Sequence, residues 1–450
     1  MLGAEPMQEQ SLSIADGAFR RGTAACPGLF RILPARDGGI CRARIPLGRL
    51  HADQSRALAA AVKRFGSGVI EVTNRANLQI RGIALAQADA VADLLTGAGL
   101  GPARPDGDDI RNVMVSPTAG IDPGQILDVQ PLAEALLDRV QADETCRALS
   151  PKFSFLLDGG EDVAIADHPH DIWLAALDQD RLAIGFAGCP PTETRDVAAM
   201  GAIRSVDAVE MMIAVATQFR DLAAGDPAII RLRHLFALRS PDEFISRLGV
   251  RLDRDPAIAR WRRRPSARRG PVGIGRQRGH GLSYIGAVPP LGRLSPEMLL
   301  GAAETAVRYG DGELRLTPWQ GMLVPSVRDR DAAAARDALQ TLGFITDKAV
   351  PLASMIACAG SPGCSFGRAD TKADARILAV ALSDGSRTVH LSGCEKSCAS
   401  AAIAGATLVA VAPGRYDLYA KSPQGESRFG RAMARSATLE QAARILRDTP

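Results

Sequence analysis

Apolar and polar positions fall into one sequence of elements twice along the chain. In the first copy Cys41, Ala43 and Ile45 alternate with Arg42 and Arg44, which predicts a half-buried strand over Ile40–Ile45. A Pro-Leu-Gly turn follows, then a helical pattern over about Asp53–Phe65 that a Gly-x-Gly stop ends. Short strands are predicted at Val69–Thr73 and, after a turn, at Leu78–Ile83. The second copy repeats the order: a strand at Leu282–Val288, the same turn, a helix over Ser295–Tyr309, and strands at Glu313–Thr317 and Met322–Val327. Ser295 before Pro296 and Glu297 is a helix start, with a capping hydroxyl and a proline where no N–H is needed.

The two copies align without a gap, residues 46–80 against 290–324, at a constant offset of 244. PLGRL recurs as PLGRL, and Arg64, Gly66, Gly68 and Thr73 recur as Arg308, Gly310, Gly312 and Thr317. Such units are α+β, a helix layer on an antiparallel sheet. The segments behind them also correspond, RNVMVSPTAG (Arg111–Gly120) against MIACAGSPGC (Met355–Cys364). The expected organisation is a pseudo-two-fold of four parts: half-domains at 20–90 and 270–330, and larger α/β parts at 105–240 and 345–450. Ser240–Gly270, ending in ARWRRRPSARRG, reads as a linker.

Composition narrows the function classes. A chain of 450 residues with 46% hydrophobic and 23% charged residues is globular and long enough for several domains. No apolar stretch approaches the ~20 residues of a membrane helix, and the N-terminus lacks an apolar signal core, so a cytoplasmic protein is expected. The net charge of +4 is too slight to indicate nucleic acid, and 48 of the 54 basic residues are Arg.

Four of the eight cysteines, Cys26, Cys41, Cys146 and Cys189, are scattered. The others form Cys358-x5-Cys364 and Cys394-x3-Cys398, in glycine-rich loops whose N–H groups are free to face anionic sulfur. Gly360, Pro362 and Gly363 argue against a helix in the first loop. The pattern suits a [4Fe–4S] cluster. Structural zinc, for which C-x5-C is off the usual spacing, and four unliganded core thiols are the competing readings.

These pairs, the duplicated half-domain, and TNRANLQIRG (Thr73–Gly82) together resemble the ferredoxin-type nitrite and sulfite reductases, over about Ala25 to Ser400. CPGLF (Cys26–Phe30), RANLQIRG and HLSGCEKSCA are most similar to the branch of that family that hydroxylates precorrin-3A in aerobic cobalamin synthesis. The resemblance implies an internally duplicated α+β fold, with two ferredoxin-like half-domains and two larger α/β domains of the sirohaem and iron–sulfur type. It implies Cys358, Cys364, Cys394 and Cys398 as cluster ligands. Arg75, Asn77, Gln79, Arg81, Arg111, Asn112, Lys152 and Arg42 or Arg44 are implied to bind a tetrapyrrole. Where the reductases carry the second lysine of a Lys-x-Lys pair that binds and protonates an oxyanion, this chain has Ser154.

From the residues themselves, Arg75, Asn77, Gln79 and Arg81 share one face if their segment is a strand, and guanidinium pairs bidentately with carboxylate. Sirohaem and precorrin-3A both carry a carboxylate fringe, so the site could hold either as cofactor or substrate. The implied reaction is a ring hydroxylation with γ-lactone closure, using O2, the cluster and an additional iron, non-haem or sirohaem. A sirohaem-dependent reductase and a non-enzymatic iron–sulfur or zinc module are the alternatives. Ligands of that iron are not legible: His168 and His170 sit in what reads as an exposed loop, and His390, His280 and Tyr284 have structural readings as well. No strand-linked G-x-G-x-x-G is present, so electrons are expected from an NADH-linked or separate reductase, and the internal duplication suggests a monomer.

Overall fold

The computed structural model describes residues 26–448 apart from 266–269, 383–384, 386, 401 and 423–426; residues 20–25, the start of the first predicted part, lie outside them. The duplication organises everything else. The first half-domain sheet runs Leu33–Ala35, Gly38–Ala43, Leu78–Ile83, Ile70–Val72, and ends on Arg293–Leu294 from the second copy. The second runs Gly273–Arg276, Leu282–Ala287, Met322–Arg328, Glu313–Leu316, and ends on Arg49–His51 from the first. The Arg-Leu of each PLGRL is therefore exchanged. Leu294 pairs with Ile70 and Leu50 with Leu314, so each half-domain closes the other's sheet edge.

Backbone conformation preserves the repeat where residue identity does not. Left-handed φ recurs at the same offset in Leu47 and Leu291, Gly48 and Gly292, Gly68 and Gly312, Ala76 and Gln320, Gly82 and Ser326, and Gly99 and Gly343. A non-glycine residue in that region is strained by about 1–2 kcal/mol, so five such side chains at paired positions mark an inherited turn geometry. Helices Ala52–Phe65 and Pro296–Tyr309 pack together in one core, with Leu58, Ala59 and Val62 buried alongside Leu299, Ala302 and Ala306. The Ser295 hydroxyl accepts from the Met298 N–H at 3.2 Å, capping the second helix as its sequence predicts.

The two larger parts share one topology. Val113–Val115, Phe155–Asp158 and His170–Ala176 run parallel, and Arg181–Gly188 and Gly201–Arg204 extend the sheet antiparallel. Met355–Ala357, Val389–Ser392 and Ala406–Ala412 are likewise parallel, continued antiparallel by Arg415–Ala420 and Arg431–Thr438. The stretch after Ser240 is not a linker. Helix Pro241–Ser246 buries Phe244 and Ile245, Pro256–Arg260 buries Ile258, and Arg263 is buried against Asp158 at 2.6 Å. The apolar positions between its arginines attach this segment to the first α/β core.

Candidate functional site

The two cysteine pairs leave the carboxyl ends of adjacent parallel strands, the usual place for a ligand in such sheets. Cys358 follows Ala357 directly and its N–H donates to Leu391 O at 3.3 Å. The Gly393 N–H, between the next strand and Cys394, donates to Cys358 Sγ at 3.1 Å, and Thr371 Oγ1 lies 3.6 Å from the same sulfur. Gly360–Gly363 forms a single helical turn instead of the expected irregular loop; Gly360 opens it at a φ of +65°, against the Thr371 backbone where a Cβ would not fit. Burial, then Cys394, Cys358 and Cys364, push the Cys398 thiol above its ordinary pKa. Among the described residues no three His, Cys, Asp or Glu side chains close to the spacing of a single metal ion. Two cysteine pairs on loops that follow adjacent parallel strands, with an amide directed at sulfur, are a donor set that fits a cubane cluster.

The first half-domain grips these loops. Arg81 donates to Gly363 O at 2.8 Å, Arg36 to Ser361 O at 3.0 Å, and Asn74 to Cys398 O at 3.4 Å. From the second α/β domain, Lys372 donates to Leu291 O and Ala357 O, its ammonium pulled down to about 8 by burial.

A narrow cleft, partly open to solvent, lies between the first half-domain and the first α/β domain, lined by Ile45, Gly48, Arg75, Asn77, Arg111 and Met114. Arg75 is not on a strand but in the turn that Ala76 makes at φ 51°. Its guanidinium contacts Met114 Sδ at 3.5 Å and Pro169 O at 3.2 Å, and among the described residues has no carboxylate at ion-pair distance. Burial first, and then Arg231, lower it to about 10. Arg42 and Gln79 are cross-strand partners, with the Gln79 amide oxygen accepting from Arg42 at 2.8 and 3.2 Å in its satisfied orientation. The Lys152 ammonium is half-buried and has no ion-pair partner among the described residues.

Other predicted tetrapyrrole contacts are occupied within the protein. Arg44 pairs with Asp108 and Asp109 at 3.1 Å, Arg111 with Asp108 at 2.8 Å, and Arg81 with Asp37 at 2.7 Å and Glu71 at 3.3 Å. Asn77 accepts from the Ile45 N–H, and the Asn112 amide donates to Asp109, Pro151 and Phe153 carbonyls. All five are satisfied within the protein; Asn77, Arg111 and Asn112 line the cleft, whereas Arg81 turns to the cysteine loop. Their carboxylate partners lie far away in sequence or in unremarkable loops, so no motif marks them.

The Asp167–Asp171 segment is not an exposed loop. His168 and His170 are buried, and His170 opens a strand with Nε2 3.2 Å from Met114 Sδ. Burial and the Arg75 cation hold His170 well below its ordinary pKa, and its Nδ1 has no hydrogen-bond partner. His390 is buried in its strand, lowered to about 4 by burial, while His280 is exposed and Tyr284 lies half-buried opposite Gly275. Sequence reasoning missed Arg231, which pairs with Asp171 at 2.6 Å; Asp171 also accepts from the Ser154 N–H at 3.0 Å.

Comparison with known proteins places this geometry. Residues 33–98 and 274–342 match the nitrite/sulfite reductase ferredoxin-like half domain, and 106–255 match the nitrite and sulphite reductase 4Fe-4S domain. A ferredoxin–nitrite reductase of Synechococcus elongatus is 30% identical over 384 residues, covering 81% of this chain and 75% of its own. A chloroplastic ferredoxin–nitrite reductase of Zea mays is 29% identical over 394 residues, 81% of this chain and 68% of its own. A precorrin-3B synthase of a Sinorhizobium species is 29% identical over 449 residues, 94% of this chain and 89% of its own. The solved Mycobacterium tuberculosis NirA protein shares the fold with a TM-score of 0.72 at 21% identity, over 91% of this chain and 80% of its own. The chain belongs to the nitrite/sulfite reductase family, oxidoreductases whose domains include a 4Fe-4S type. The clustered cysteines lie outside the matched residues, on the second copy of the matched sheet topology.

Proposed function

We propose that the chain is a precorrin-3B synthase, which places one oxygen atom of O2 on precorrin-3A as a hydroxyl, the other leaving as water with two electrons from the donor and two protons, while a ring acetate closes on the macrocycle as a γ-lactone. The carrying observation is Ser154. At the position where the reductases hold a second lysine, its N–H and hydroxyl face Asp171, at 3.0 and 3.4 Å, and Arg231 neutralises that carboxylate. This corner is a closed ion pair, and it leaves one ammonium, Lys152, where oxyanion reduction uses two. The Sinorhizobium precorrin-3B synthase, 29% identical over 94% of this chain, supports the same reading.

In this reading Cys358, Cys364, Cys394 and Cys398 hold a [4Fe–4S] cluster. When bound, it supplies electrons one at a time, with an additional iron serving O2 activation. The protein's part is positioning. Arg75, Arg42 and Lys152, cations without carboxylate partners among the described residues, bind the carboxylate fringe, with Gln79 orienting Arg42. His170 is kept neutral beside Arg75, and among the described residues its Nδ1 has no partner. A cytoplasmic monomer supplied by a separate electron donor completes the proposal.

The retained cysteine pairs and the several nitrite reductases among its relatives favour one second reading, a sirohaem-dependent reductase of nitrite or sulfite. The test is to supply the purified protein with a reductant and either precorrin-3A under O2 or nitrite and sulfite without it. The proposal predicts an oxygen-dependent hydroxylactone product labelled from ¹⁸O2. Sirohaem absorption bands together with nitrite or sulfite turnover would replace it with the second reading.

A further inference from the structure

Arg81 belongs to the string that resembles a tetrapyrrole-binding motif, yet it is 2% exposed and faces the cysteine loops. Its Nε and one terminal nitrogen pair with Asp37 at 2.7 and 2.8 Å, and the other terminal nitrogen with Glu71 at 3.3 Å. A further N–H donates to Gly363 O at 2.8 Å, one residue before Cys364. Four of the five guanidinium donors are thus assigned, all to protein.

We infer that Arg81 is the positioning residue of the Cys358–Cys364 loop: clamped by Asp37 and Glu71, its guanidinium holds the Gly363 carbonyl and so sets where Cys364 points. Residue 363 carries the imprint of this contact. A Cβ there would lie 2.6 Å from Arg81 Nη2, while Gly363 is not in the left-handed region, so the close approach of the guanidinium, not backbone conformation, demands glycine. The second half-domain makes a comparable contact from a different position of its repeat, since the offset of 244 carries Arg81 to Pro325 and Glu71 to Arg315. Arg315 of the second half-domain, paired to Glu313 at 2.8 Å, donates to Pro117 O and Ala119 O in the corresponding loop of the first α/β domain. Each half-domain thus uses one buried, carboxylate-gripped arginine to hold the first loop of an α/β domain. Only one of those loops carries cysteines.

The inference rests on the proposal that these cysteines hold a cluster. The test compares wild type with Arg81→Lys and Gly363→Ala, the second displacing the guanidinium while keeping its charge. Arg44→Lys serves as a control, an equally buried arginine that touches neither cysteine loop. Readouts are iron and acid-labile sulfide per chain, the EPR spectrum of the reduced protein, the rate of iron loss to a chelator, and precorrin-3A affinity. The Arg81 and Gly363 variants should lose iron about tenfold faster or more and shift the EPR spectrum, as outer-shell substitutions do, with tetrapyrrole affinity unchanged. Arg44→Lys should leave both cluster readouts at wild-type values. Wild-type EPR and iron retention in folded Arg81→Lys and Gly363→Ala would overturn the inference alone. Wild-type protein lacking acid-labile sulfide would overturn it together with the cluster.

Discussion

Arginines that look alike in sequence divide into two populations once their partners are known. Arg44 is 1% exposed and satisfied by Asp108 and Asp109, so its removal would leave buried carboxylates short of a cation. Arg44→Ala should therefore destabilise the fold by about 3–5 kcal/mol in denaturant melts. Arg75 has no such carboxylate, so Arg75→Ala relieves a desolvated cation and should leave stability near wild type. Its effect should fall on precorrin-3A affinity, weakened by about 1.5–3 kcal/mol, roughly tenfold or more, in a binding titration. Unchanged affinity would remove Arg75 from the site. The buried imidazole of His390 makes a third case. Its folded-state pKa of about 4 lies below that of the unfolded chain, so the unfolded state binds the proton first as pH falls. Stability should hold above pH ~6.5 and decline toward pH 4 by up to about 1.4 kcal/mol per unit, and His390→Gln should flatten that profile. The string TNRANLQIRG announced basic chemistry, but which arginine remains free depends on Asp37, Asp108 and Asp109, whose proximity only the fold creates.

At the scale of elements, the exchanged strands decide how the half-domains cohere. Leu50 is fully buried in a strand of three residues that pairs with Glu313–Leu316, more than 260 residues along the chain. Leu50→Ala should lose about 2–5 kcal/mol, and calorimetry should show both half-domains melting in one transition. Two separable half-domain transitions would contradict the exchange. The helices and longer strands were legible because their periodicity, Ser295 cap and glycine stops are local. Strands as short as Arg49–His51 and Arg293–Leu294 carry no period, and their pairing is wholly non-local. The segment after Ser240 misled for the opposite reason. Its arginine run looks solvated, yet Arg263 is buried on Asp158 and the interspersed Phe244, Ile245 and Ile258 are core.

For the whole molecule, duplication explains why one chain contains two equivalent sheets, only one with clustered cysteines at its strand ends. The Cys-x5-Cys and Cys-x3-Cys pairs were legible as a candidate site because each pair is local. That both follow adjacent parallel strands, and that Arg36, Asn74 and Arg81 of a different domain hold their loops, emerges only from the assembled fold. Among the described residues no helix is long and apolar enough to cross a membrane. The most direct test of the account is acid-labile sulfide and iron in anaerobically purified protein, measured beside Cys394→Ala. The account predicts about four sulfides per chain, iron in excess of four, and loss of the sulfide in the variant. Wild-type protein without inorganic sulfide, or a variant that retains its full complement, would contradict it.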